Sequence, residues 1–286
     1  MFHAPLRKTL FCLLTAFCGL AALAGCSRNQ ATGKMQLDLI SDQQEIAMGE
    51  EAAPQFEKEF DGAVGNRTLQ AYVSQVGNQV AEAAERDMPY EFTLVRSDVP
   101  NAFALPGGKI FLTAGLMARM QNERQLAAVL AHEVAHVSAE HNTQGLQRQM
   151  GAQILVELAG AAAGADKQKA AEAAAAITAN MVNLKYNRDA EHQADVLGVR
   201  YMHRAGYNPW GMVGLLKVLS ALSGGAEKES SLANIFQTHP LTSERIEQAE
   251  QTIRDNHPQF QMSDPDPNAA RFRDMRALLL REMDWN

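Results

Sequence analysis

Thiols, aromatic rings and long apolar runs are all scarce in this chain of 286 residues. The three cysteines are Cys12, Cys18 and Cys26, so nothing beyond residue 26 can close a disulfide or offer a thiolate to a metal. Any metal site further along has to be built from histidine, glutamate and aspartate. Aromatic residues make up only 6% of the chain while alanine is abundant, which favours helices over a β-sandwich. An excess of positive charge is missing too. The formal charge of −7 argues against nucleic acid as a partner. The apolar run from Leu10 to Leu23 is shorter than the roughly 20 residues that span a bilayer as a helix. The alanine-rich stretch before Met181 is broken by Glu157, Asp166, Lys167 and Lys169. What remains is 46% hydrophobic, enough to bury the core of one large domain or two small ones.

The first residues form a targeting segment: Arg7 and Lys8 supply its positive end, Leu10 to Leu23 its apolar stretch, and Leu23-Ala24-Gly25-Cys26 a processing site. Small residues just before a cysteine resemble the lipobox of bacterial lipoproteins. By that resemblance residues 1–25 are a signal peptide, and Cys26 becomes the lipidated first residue of the mature chain. Ser27, standing where an aspartate would retain the protein elsewhere, implies the outer membrane and its periplasmic face. Residues 26–40 read as a tether between the lipid and the body.

Ser41-Asp-Gln-Gln44 has the form of a capping box opening a helix to about Ala53, and a second helix is expected from Asn66 to Arg86. Short β-forming segments at 90–95, 102–105 and 109–113, with a turn at Pro106-Gly107-Gly108, predict a small antiparallel sheet. Within it Asn101-Ala102-Phe103-Ala104 is a candidate edge strand, able to pair with an extended peptide through main-chain hydrogen bonds. The stretch from 142 to 181 predicts a helical hairpin, either static or a movable cover over a cleft.

The chemistry centres on His132-Glu133-Val134-Ala135-His136. Leu126, Val129, Leu130, Val134 and Val137 recur at helical spacing around it, so the motif sits in an apolar helix. Four residues make about one turn, which stacks His132 and His136 on one face, where two imidazoles can share one zinc. Glu133 lies beside them as a candidate general base. A catalytic zinc site wants a third protein ligand. In Asn187-Arg-Asp-Ala-Glu191-His192-Gln-Ala-Asp195, Glu191 and Asp195 share a helix face. Glu191 can complete the set, and Asp195 can hold the free N–H of a ligating histidine. His192 is a competing ligand that points about 100° away from that face.

These two motifs, the upstream Asn-Ala-Phe-Ala and the downstream Thr238-His239-Pro240 with Arg245-Ile246 together resemble the HtpX/BepA/OMA-like zinc metallopeptidases, gluzincins related to the CAAX prenyl endoproteases. The resemblance covers residues 41 to about 255. It implies an α+β, mainly helical zincin-like domain at 41–256, followed by a C-terminal loop and helix at 257–286. One Zn(II) per chain on His132, His136 and Glu191 is implied, with Glu133 as base and Asn101 to Ala104 along the bound substrate. His239 is implied to act near the metal, either steadying the oxyanion or occupying the open position to keep the enzyme latent. Arg245 is expected to pair with Asp195 or Glu191. Implied substrates are unfolded or misfolded envelope proteins, with the outer-membrane assembly machinery as a further partner; the alternative is a lipoprotein chaperone with a latent or structural zinc. The membrane helices of some relatives and the helical-repeat domain of others have no counterpart in the sequence. His3, His141, His203 and His257 match no ligand spacing and read as incidental.

Overall fold

A computed structural model describes residues 25–225 and 238–285. Of the expected signal peptide at 1–25, residues 1–24 lie outside them. Two strands open the described chain, β1 (Gly25–Arg28) and β2 (Met35–Asp38), paired antiparallel. The stretch expected as a free tether is therefore folded against the body. Its punctuation is a tight turn: Asn29 Oδ1 accepts from the amides of Ala31 and Thr32, and Gly33 takes φ +68°. The Asn29 amide donates to the carbonyl of Ser138 and to Glu140, which docks the hairpin.

Helices α1 (Asp42–Glu59) and α2 (Arg67–Ala81) follow. Ser41 and Gln44 form the expected capping box, but α1 continues through Pro54, past the expected end at Ala53. Then come β3 (Glu91–Val95), β4 (Ala102–Ala104), a 3-10 turn (Pro106–Gly108) and β5 (Lys109–Thr113). The sheet order is β3-β5-β4. β4 and β5 form the antiparallel hairpin that the Pro-Gly-Gly turn predicts, whereas β3 joins β5 in parallel, so the sheet is mixed rather than antiparallel throughout. Hydrophobic alternation sets which face a strand buries and leaves its partner's direction undetermined. At φ +72°, a Cβ on Gly107 would meet Ile46 Cα at 2.6 Å; its absence lets the turn close on α1.

Among the described residues the remaining helices are α3 (Ala114–Arg119), α4 (Glu123–Ser138), α5 (His141–Met150), α6 (Ala152–Ala162), α7 (Lys167–Val182), α8 (Arg188–Arg204), α9 (Trp210–Gly225), α10 (Ser243–Asn256) and α11 (Ala269–Glu282). Residues 142–181 thus form three helices, not one hairpin. Among the described residues no helix is long and apolar enough to cross a membrane.

Two apolar cores meet at the sheet. The larger gathers α2, α4, α8 and α9, and takes Ala102 and Ala104 from one face of β4. The smaller gathers α1, α6 and α7, and takes Phe103 from the other face. Every residue of α4 except Arg124 is buried, a degree of enclosure that its apolar face alone would not require. Close packing of α8 on α4 depends on Gly198, whose Cβ would stand 3.4 Å from the His132 backbone nitrogen and 2.8 Å from Met212 Cε. The buried guanidinium of Arg86 ties Glu45 of α1 to the carbonyl of Val137 at the end of α4.

Candidate metal centre

Side-chain caps fix the starts of α4, α8 and α10 near the site, whereas α5 opens at Glu140 without one. Asn122 caps α4 by accepting from the amide of Gln125, and Asn187 caps α8 by accepting from that of Ala190. The second cap places Glu191 in the first turn of α8, where the helix dipole favours a carboxylate. Thr242 caps α10 and so presents Arg245 toward α8.

The structure brings His132, His136, Glu191 and His239 together, all buried, with one candidate ligand atom from each within 4.8 Å of the others. His132 Nε2 and His136 Nε2 are 3.1 Å apart; His239 Nδ1 is 3.4 Å from His132 Nε2 and 2.9 Å from Glu191 Oε1. The other ring nitrogen of each α4 histidine has a polar neighbour, hydrogen-bonded at His136 and within ion-pair distance, without hydrogen-bond geometry, at His132. His132 Nδ1 lies 3.0 Å from Asp195 Oδ1, and His136 Nδ1 lies 3.0 Å from His141 Nδ1. Both Nε2 atoms are thereby aimed at the same point. Glu133 is buried alongside, its Oε1 3.8 Å from His239 Nε2 and its Oε2 without a hydrogen-bond partner. Convergent imidazole nitrogens and a carboxylate, beside a buried carboxylate oxygen with nothing to bond, fit a divalent transition metal and a water.

Charge is organised around this point. Arg245 donates to both oxygens of Asp195 at 2.8 Å and stands 2.5 Å from Glu191 Oε2, so it reaches both carboxylates that the sequence offered it. Burial would raise the Glu191 pKa, yet His239, Arg245 and hydrogen bonds from His132 and His136 hold it well below the usual carboxylate range. Asp195 is likewise lowered, the pull of Arg245 and His132 outweighing burial. For His132, burial works against the charged ring, but Asp195 and Glu191 raise its pKa to about 10. His136 goes the other way. Burial outweighs its contact with Glu191 and drives it well below the ordinary histidine value, so it is neutral. Burial raises Glu133, with partial relief from His239 and His132.

Four neighbours escaped the sequence reading: His141, Gln193, Tyr186 and Asn142. His141, taken as incidental, is buried against His136 and bonds Gln193 Oε1 through Nε2 at 3.1 Å. Tyr186 stacks on His136 with ring centroids 4.0 Å apart, and its hydroxyl donates to Asn142 Oδ1. His141 lies off the helical face of the motif because α4 ends at Ser138. Glu140 then adopts φ +58°, and the chain turns back with His141 at the head of α5. The signal that could have found it is a buried-looking polar residue just after a helix end. His192 is exposed, as its position on α8 requires.

β4 lies at the sheet edge with Asn101 and Ala102 next to Glu133 and His132. The Ala104 carbonyl accepts from Asn142. A small apolar cavity of about 30 Å³ opens beside them, walled by Leu116, Val129, Met212, Leu215, Leu216 and Leu219.

Comparison with known proteins matches residues 67–253, more than half of the chain and including every residue of the cluster, to Peptidase family M48. The mitochondrial metalloendopeptidase OMA1 of Schizosaccharomyces pombe is 30% identical over 218 residues, covering 72% of this chain and 61% of its own length. The beta-barrel assembly-enhancing protease of Escherichia coli is 28% identical over 226 residues, covering 73% of this chain and 44% of its own. The metalloprotease LoiP of Escherichia coli is 24% identical over 250 residues, covering 85% and 95%. The aligned region thus spans about half the length of the first two of these relatives and nearly all of the third. With the matched region enclosing the whole histidine and carboxylate cluster, the chain belongs to peptidase family M48.

Proposed function

We propose that this protein is a zinc endopeptidase of the bacterial cell envelope that cleaves misfolded or stalled periplasmic or outer-membrane proteins. The observation that carries the reading is the convergence of His132, His136 and Glu191 next to Glu133, whose Oε2 is buried and unpartnered. The name of the beta-barrel assembly-enhancing protease supports the envelope role, and the lipobox-like Leu23 to Cys26 supports attachment by lipid.

Zinc bound by His132, His136 and Glu191 would supply a Lewis acid that polarises the scissile carbonyl and acidifies the attacking water. Glu133 takes the proton of that water on Oε2 and passes it to the leaving amine. A pKa raised by burial suits a group that must both accept and return a proton. Asp195 and Arg245 fix His132 and Glu191 from behind. Asn101 to Ala104, on an edge strand, align an extended substrate by main-chain pairing.

A second reading, a latent enzyme or a chaperone that keeps its zinc, is favoured by one contact. His239 Nδ1 stands among the donors, 2.9 Å from Glu191 Oε1, where it can fill the position a water needs. Zinc content and cleavage of an unfolded protein, measured for the wild type, Glu133→Gln and His239→Ala, separate the two. One zinc per chain with cleavage by the wild type and a loss of about 10²-fold or more in Glu133→Gln supports the peptidase. Cleavage only after His239→Ala supports latency, and no zinc in any of them removes the metal centre.

A further inference from the structure

The two ring nitrogens of an imidazole are not equivalent, and a neutral histidine can ligate a metal only through the nitrogen that lacks a proton. For His132 a charge makes the choice: the Asp195 carboxylate, 3.0 Å from Nδ1, favours a proton on that nitrogen and leaves Nε2 turned to the cluster. His136 has no carboxylate behind it. Its Nδ1 meets another imidazole, which could in principle donate or accept.

The ambiguity is resolved one residue further out. His141 Nε2 lies 3.1 Å from Gln193 Oε1, a carbonyl oxygen that can only accept. With that oxygen as its partner, His141 carries its proton on Nε2 and presents a lone pair on Nδ1. That lone pair demands a donor, so the proton of His136 sits on Nδ1 and its Nε2 is free. The opposite polarity would put a proton on His136 Nε2, 3.1 Å from His132 Nε2, and bar it from a metal. The relay is enclosed: His136 is fully buried with Tyr186 stacked on its ring, while His141 is 5% exposed.

We infer that His141 and Gln193 are positioning residues, an uncharged hydrogen-bond relay that sets the tautomer and ring orientation of His136 as a metal ligand. This rests on the metallopeptidase reading. In the relay His141 does not touch the metal or the substrate; it acts through His136 alone. Its position suits the role, because the reversed chain at Glu140 brings it back under the helix that carries His136.

The test measures metal affinity directly, using the full-length chain and Zn(II) in competition with a chromogenic chelator. His141→Leu keeps much of the volume and removes the acceptor. His141→Asn places an amide oxygen close to where Nδ1 stood. The expected result is a Zn(II) affinity about 10–100-fold weaker for His141→Leu, recovering to within about threefold of wild type for His141→Asn. Gln193→Leu should weaken binding by a smaller factor and Gln193→Glu, which still accepts, should not. These two variants decide the matter if His141→Leu fails to fold, since Gln193 lies nearer the surface. Equal losses in His141→Leu and His141→Asn, or in Gln193→Leu and Gln193→Glu, would reduce the relay to packing and overturn the inference. Wild-type affinity in His141→Leu would overturn it as well. A wild-type chain that binds no zinc removes the metal centre, and the relay with it; that outcome is distinct from tight wild-type binding with unaffected variants.

Discussion

The two histidines of α4 stand one turn apart on the same face, yet the protein supports them in opposite ways. Behind His132 lies a buried charge network in which Asp195 and Glu191 share Arg245. Behind His136 everything is neutral: His141, Gln193, and the Tyr186 ring with its hydroxyl on Asn142. The two pKa values diverge accordingly, that of His132 raised to about 10 and that of His136 driven well below the ordinary histidine value. Identical side chains at adjacent turns thus differ because Asp195 and Glu191 together outweigh burial at His132, whereas at His136 burial outweighs the contact with Glu191 alone. Arg245 balances the buried carboxylates of Asp195 and Glu191, which lowers the cost of enclosing them.

The largest test of this contrast is Asp195→Ala. It strips two hydrogen bonds from a guanidinium that has almost no access to water, and should cost about 3 kcal/mol or more in urea unfolding of the chelator-treated protein. Wild-type stability in that variant would erase the distinction between the charged and neutral sides. A smaller effect is expected from pH. Below pH 10 the His132 imidazole retains a proton that a metal must displace, whereas His136 has none to lose. Zinc affinity should therefore rise with pH by about tenfold per unit between pH 6.5 and 8, the slope of one proton released per metal. A slope of two in chelator competition would mean that the neutral side is charged too.

Tyr186→Phe probes the neutral side without removing its ring. The lost hydroxyl leaves Asn142 Oδ1 buried and unpaired, for about 1–2 kcal/mol of stability, while the stack on His136 and the zinc affinity persist. A tenfold fall in zinc affinity would show that the hydroxyl, not the ring, supports His136. His192→Ala should do least, within about 0.5 kcal/mol and with zinc binding unchanged, because this side chain is exposed although it adjoins Glu191 in the chain. Any loss of metal there would redraw the site.

How much of this could be read in advance depended on how local each relation is. His132 with His136 and Glu191 with Asp195 are helical neighbours, and their shared faces follow from the 3.6-residue period. The capping box at Ser41 and the hairpin at Pro106 are local as well. His141 was missed because the period stops at Ser138, and Glu140 in the left-handed region redirects the chain. The parallel partnership of β3 with β5, and the docking of the hairpin at 25–38 through Asn29, were missed for a related reason: both depend on which surfaces meet after collapse.

By itself, then, the sequence determined the ligand chemistry: with no cysteine after residue 26, and with two histidines and two acids at one-turn spacing, only a nitrogen and oxygen site was available. The tertiary structure decided which nitrogen each histidine presents and what stands opposite it. Hydrogen bonds reach only about 3 Å. Apart from the His136–His141 pair, the groups that satisfy them here come from segments 48 to 107 residues apart, so the packing of α5, α8 and the loop at His239 around α4 had to be in place first.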